Sequence, residues 1–173
     1  MLRSIPMRVA VAATALFAAA VSAPQAVAVD TPSVRVSSEA DAATKALVRT
    51  DPKAAAEAVA AANVCGSSYS LRSATPLPLG TDPNMRLAML FAYEGSAGGC
   101  AILDNNVGAS RYMYVQVCKV GGTACDTDSG NFSQYAGPVY ISSFACAPVT
   151  AKMGTSSSSL SINYKSSYVF PCG

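Results

Sequence analysis

The stretch Met85–Tyr93, MRLAMLFAY, decides the fold. Met85, Leu87, Met89, Phe91 and Tyr93 recur at every second position, the period of a β-strand, and Ala88, Leu90 and Ala92 fill the positions between. A strand that is apolar on both faces reads as a central one. Downstream, Gly95–Gly99 makes a tight connection into Cys100–Asp104, which suggests a hairpin. Tyr112–Lys119 reads as a further strand, with Met113, Val115 and Val117 on one face. Val120-Gly121-Gly122-Thr123 is expected to turn the chain back, and Ser129-Gly130-Asn131 to turn it again. Val139 and Ile141 alternate with Tyr140, and Leu160, Ile162 and Tyr164 alternate with Ser161, Asn163 and Lys165. With Ser68–Ser73 in front, about seven short strands follow at hairpin spacing. No strand–helix–strand alternation supports a parallel sheet. The expected class is all-β: a small antiparallel sandwich or barrel, built as a meander, over residues 64–173.

Residues 29–63 differ in kind. They contain no aromatic residue, cysteine or glycine, and their apolar content is mainly alanine. Asp51-Pro52 supplies an N-cap carboxylate and a proline at the first helical position, and Lys53–Ala62 is alanine-rich, so helix is the local preference. Alanine buries little surface. The segment therefore reads as a linker, pro-segment or docking helix that anchors no core and frays before Asp51.

Met1–Ala28 has the pattern of an export signal. Arg3 and Arg8 make a positive start, Val9–Val21 is uncharged and alanine-rich, and Ala26-Val27-Ala28 offers the small residues of a cleavage site. Pro24 and Gln25 make the stretch a poor permanent span, so no stable membrane insertion is expected after cleavage. The twelve basic side chains include Arg3 and Arg8; beyond the signal, ten remain against ten acidic ones. A neutral chain without a basic run is not expected to bind nucleic acid.

Six cysteines behind an export signal read as three disulfides in an extracellular protein. Zinc is disfavoured because there is no C-x-x-C and no histidine. Cys118 and Cys125 flank the Gly-Gly turn and are expected to pair. Of the three pairings left for the other four, Cys65–Cys100 with Cys146–Cys172 is preferred, Cys65 and Cys100 being taken to begin two strands of like direction.

Recognisable catalytic chemistry is sparse. Without histidine there is no Ser-His-Asp or Cys-His arrangement, and paired cysteines are not nucleophiles. Asp82, Glu94 and Asp104 stand in turn or strand-end contexts and read as solvated caps, so the chain is expected not to be an enzyme and to need no cofactor. Asp126–Asn131 superficially follows a calcium loop but lacks its glycine and bidentate glutamate in register, and reads as a β-turn. Two features could carry binding. If Val115, Val117, Val139 and Ile141 face the core, Tyr112, Tyr114 and Tyr140 face outward on neighbouring strands, where they could stack on sugars or simply pair across the sheet. Lys119, at the stapled hairpin, could be offered to a trypsin-like protease.

Asn63-Val64-Cys65-Gly66-Ser67-Ser68-Tyr69, Gly98-Gly99-Cys100, Asp128–Tyr140 and the terminal Cys172-Gly173 resemble the spore-associated protein A family, small secreted proteins of filamentous actinobacteria. Tyr135-Ala136-Gly137-Pro138-Val139-Tyr140 is the most specific element. Two departures stand out: Ala147-Pro148-Val149 follows Cys146 where relatives usually carry Trp-Gly-Gly, and Cys118 with Cys125 adds to a four-cysteine pattern. The resemblance implies an extracellular, cell- or spore-surface-associated protein with no established catalytic residues. The expected partner is a cell-wall or spore-surface component; a protease inhibitor and a wall-carbohydrate module are the alternatives.

Overall fold

In the computed structural model, which describes residues 33–142 and 146–168, the strand expected over Met85–Tyr93 is β2 (Ala88–Gly95), and Ala88 through Tyr93 are all buried. Met85 and Leu87 depart from the expected face: Met85 ends a short 3-10 turn (Pro83–Met85) and is exposed, and Leu87, ahead of the strand, packs against the opposite core from Met89, Phe91 and Tyr93. β2 lies inside a four-stranded antiparallel sheet of order β1-β2-β3-β6, with β1 Ser70–Leu77, β3 Gly98–Asn105 and β6 Tyr135–Ile141. A second antiparallel sheet has order β5-β4-β7-β8, formed by β4 Arg111–Cys118, β5 Cys125–Phe132, β7 Val149–Ser156 and β8 Ser159–Ser166. Successive strands pair along β1-β2-β3, but β6 returns beside β3 and β7 beside β4, so the path is more than a meander. Leu90, Leu103 and Val139 of the first sheet share one core with Met113, Val115, Val149 and Ile162 of the second.

The first sheet is apolar on its other face as well, and helices cover it. α1 (Ala42–Thr50) and α2 (Pro52–Cys65) form a layer whose Ala58, Ala61 and Cys65 pack with Met89, Phe91, Tyr93 and Ile102. Asp51 caps α2 as expected, its carboxylate accepting from Ala54 N at 3.0 Å. The structure departs from the expectation for the preceding residues. α1 begins at Ala42, capped by Asp41, and Thr44 Oγ1 accepts from Ala74 N of β1 at 3.0 Å. Ala54, Ala58 and Ala61 recur along one helix face and are buried. Their small side chains let the helix backbone approach the sheet, and Phe91 and Tyr93 supply the volume that alanine lacks. Tyr93 Oη donates to the Ala58 carbonyl at 2.7 Å.

Two further ties hold this layer. Cys65 and Cys100 are disulfide-bonded, joining α2 to β3 across 35 residues. The expected pairing is therefore present, but Cys65 ends a helix and does not begin a strand. Arg86, whose side chain is 2 % exposed, donates to Asp51 Oδ2 at 2.7 Å and to Glu57 Oε2 at 3.0 Å. Cys118 and Cys125 are bonded across the hairpin as expected. Two disulfides thus lie among the described residues. The expected export signal Met1–Ala28 and the expected partner of Cys146, Cys172, lie outside them.

Two strand expectations need correction. β5 runs through Ser129-Gly130-Asn131, where a turn was expected, and the chain leaves it only at Ser133-Gln134. It is an edge strand of polar side chains with no apolar period to reveal it. Its Asp126 and Asp128 carboxylates are not turn residues either: they accept from the backbone N–H groups of Tyr140 and Gly137, both at 2.7 Å, and so occupy donors on the edge of β6. β7 was not anticipated. Val149, Ala151 and Met153 do alternate inward there, but Pro148 and Gly154 bracket them closely.

The chain-entropy relation gives the two bridges different weights. Replacing Cys65 and Cys100 by serine is expected to cost about 3–4 kcal/mol in denaturant unfolding, against about 2 kcal/mol for Cys118 and Cys125. Similar losses for the two pairs would contradict the clamp assigned to the first. Arg86→Met leaves Asp51 and Glu57 without their buried partner and should lower stability by about 3 kcal/mol or more, measured the same way.

Candidate functional site

With one face of the second sheet turned to the core, no element among the described residues packs over its other face. β4 runs along the middle of it. Tyr112 stands directly between Asn131 of β5 and Gly154 of β7, Tyr114 between Ser129 and Lys152, and Gln116 between Thr127 and Thr150. The register places Asn163 beside Lys152 and Lys165 beside Thr150 on β8. Tyr112 and Tyr114 are half-buried, and Lys152 Nζ lies 4.9 Å from the Tyr114 ring centroid, a cation–π contact. Gln116 Nε2 donates to Thr127 Oγ1 at 2.9 Å. Among these residues there are amides, hydroxyls, two lysines and two aromatic rings, and no carboxylate. Asp126 and Asp128 fall on the alternate positions of β5, directed at β6.

Tyr140 does not belong to this face. It lies on β6 of the other sheet, its ring centroid 6.2 Å from that of Tyr69, and its hydroxyl donates to the Cys65 carbonyl at 3.4 Å. The expected stripe on neighbouring strands is thus reduced to Tyr112 and Tyr114. Val115, Val117, Val139 and Ile141 are buried as expected, but two different sheets contribute them. Lys119 is exposed in a tight turn in which Gly121 and Gly122 have φ of 86° and 70°. Its carbonyl accepts from Gly122 N at 2.8 Å and its own N–H donates to Ala124 O at 2.8 Å. A scissile-type carbonyl has to be open to the donors of a protease, so this turn gives the inhibitor reading no support.

A second site was not visible in the sequence. Where α2 passes over the ends of β3 and β6, a cavity of about 340 Å³ opens between Ala60, Ala61 and Val64 on the helix and Ile102 and Tyr135 on the sheet. Asp104, expected to be a solvated turn residue, lines it instead. It pairs in register with Tyr135, which places both on the helix-covered face. Burial, reinforced by the nearby charge of Glu57, pushes its carboxyl up to about 6, against the opposing influence of Lys53, Arg86 and a 3.2 Å hydrogen bond from Asn106 Nδ2. Asn106 Nδ2 also donates to Glu57 Oε1 at 2.7 Å. Asp51 moves the other way: burial raises its carboxyl, but the Ala54 N–H and the Arg86 guanidinium outweigh it and hold the group below its ordinary value. Nothing local in Asp104-Asn105-Asn106 announces this, because the burial comes from a helix far away in sequence.

The described residues contain no cluster of three or more His, Cys, Asp or Glu side chains suited to a metal ion. No helix among them is long and apolar enough to cross a membrane.

Comparison with known proteins gives one partial likeness. Spore-associated protein A of Streptomyces coelicolor is 33% identical over 81 residues, covering 46% of this chain and 49% of that protein. The chain thus spans about half the length of the curated relative it matches. No family model matches the chain, and no solved structure matches it significantly.

The opposite displacements of the two carboxyls separate their effects on stability. A folded-state value raised to about 6 means that the Asp104 contribution is fully present below the unfolded value near 3.8 and lost as pH rises through 6. The Asp51 contribution is present above 3.8 and lost as pH falls below it. Asp104→Asn should therefore flatten the decline in stability between pH 4 and pH 6. It should raise stability at pH 7 by roughly 1 kcal/mol once solvent screening is allowed for. Urea unfolding at a series of pH values would check this, and an unchanged slope in that window would contradict it.

Proposed function

We propose that the chain is an exported, non-enzymatic protein that associates with the cell or spore surface, a β-sandwich with a helical cover. In this reading it contacts wall glycan through the face of the β5-β4-β7-β8 sheet turned away from the core. The observation that carries the proposal is the Tyr112–Tyr114 face itself. Tyr112 and Tyr114, two positions apart on one face of an inner strand, offer aromatic rings on which sugar rings can stack. Asn131, Ser129, Gln116, Asn163 and Thr150 surround them with hydrogen-bonding groups, and Lys152 and Lys165 supply positive charge for a carboxylate- or phosphate-bearing glycan.

Three further points support the reading. The name of the Streptomyces coelicolor relative associates that protein with spores. The two disulfides are compatible with an oxidising, extracellular address. Met1–Ala28 has the composition of a cleaved export signal, and the absence of histidine removes the commonest general base.

Co-sedimentation of the purified protein with isolated cell wall tests the site. Retention is expected for the wild type, with a five- to tenfold loss of affinity for Tyr114→Ala, the scale of one aromatic contact. Tyr140→Ala, on the other sheet, should bind like the wild type. No retention at all, or equal losses from the two substitutions, would refute the assignment of the face.

A further inference from the structure

We infer that the cavity between α2 and the β3–β6 edge is a second binding site, for a small primary amine carrying a compact apolar body, with the Asp104 carboxylate as its counter-ion. The site is independent of the glycan-binding face, since it lies on the helix-covered side of the other sheet.

The walls and the carboxylate point to the same chemistry. Ala60, Ala61, Val64, Ile102 and the Tyr135 ring line a volume large enough for a small organic molecule and suited to its apolar part. The neighbouring Asn105 side chain is already engaged: its amide nitrogen donates to Ala109 O at 2.9 Å and Phe132 O at 3.0 Å, and its oxygen accepts from Val107 N at 2.9 Å. Asp104 is not so satisfied. It accepts one side-chain hydrogen bond, from Asn106, and makes no ion pair among the described residues.

The basic groups that face it are committed elsewhere. Arg86, on the chain entering β2, is held by Asp51 and Glu57, and Lys53 of α2 lies 3.7 Å from Glu57. The remaining neighbours are Glu57 on α2 and Tyr93 on β2, the first adding negative charge and the second donating its proton to Ala58 O. An under-partnered, desolvated carboxylate in the wall of a mostly apolar cavity, whose other polar lining is the neutral Asn105, Ser133 and Gln134, favours a ligand that brings one positive charge and N–H donors. A neutral ligand leaves that carboxylate unmatched, and an anionic one meets Asp104 and Glu57 together.

Calorimetric titration of the full chain with phenethylamine and with 2-phenylethanol, its neutral counterpart, tests the inference. At pH 7.5 the amine is expected to bind at least tenfold more tightly than the alcohol. Asp104→Asn should abolish that preference without harming the fold, since the amide replaces the carboxyl with little change of shape. Ala60→Leu, at an exposed helix position on the cavity wall, should weaken both ligands by occupying their space. Lowering the pH to 5 protonates most of Asp104 and should weaken the amine about tenfold while leaving the alcohol unchanged. Failure of the folded wild type to bind the amine saturably would overturn the inference. So would equal affinity for amine and alcohol, or a preference that survives Asp104→Asn. Should that variant not fold, Ala60→Leu and the pH profile decide the matter on their own.

Discussion

The sheet β1-β2-β3-β6 buries both of its faces, and the need to cover both sets the order of the layers. On one side the second sheet supplies Met113, Val115, Val149 and Ile162. On the other the helices supply little volume of their own, so the sheet contributes the large side chains and the helices contribute small ones that permit close approach. Tyr93 and Phe91 are 0 % exposed, and their burial is worth about 2 kcal/mol each, gained only while α2 stays in place. The Cys65–Cys100 bridge and the Arg86 contacts to Asp51 and Glu57 keep it there. These ties also shape the Asp104 cavity, because the helix that covers Tyr93 is the one that forms the cavity roof.

Sequence patterning is most legible where one physical requirement dominates. The alternation of Met89, Phe91 and Tyr93 with Ala88 and Leu90, and the two-faced burial of β2, follow directly from residue types; the same period runs on through Met85 and Leu87, so it does not reveal that the strand starts only at Ala88. So does the Cys118–Cys125 staple, because a Gly-Gly turn brings its flanks together. Legibility fails where burial comes from a distant element. The alanine helix looked too small to hold a core, yet its smallness is the means of its packing. β5 carries no apolar period, since as an edge strand it uses Asp126 and Asp128 on the donors of β6 instead of filling a core. The Cys65–Cys100 pairing was anticipated with the wrong geometry, because nothing in the sequence distinguishes the last turn of α2 from the start of a strand at Cys65.

The same contrast applies to the sites. Tyr112 and Tyr114 could be placed outward from the period of β4 alone, and the structure places them in the middle of a polar face. Tyr140 could not be placed, because the alternation of β6 says nothing about which sheet the strand joins. Asp104 has an ordinary local context and an unusual surrounding, which only the closure of α2 over the sheet creates. The fold thus separates two chemistries, a hydroxyl- and amide-rich face on one sheet and a small cavity with a carboxylate in its wall beneath the helix layer of the other.

Surface association is the central claim, and fractionating a producing culture into medium, walls and spores tests it most directly. Immunodetection of the native chain should find most of it in the wall or spore fraction, shorter than the full sequence by the export signal. Protein found wholly free in the medium, or retained uncleaved inside the cells, would contradict it.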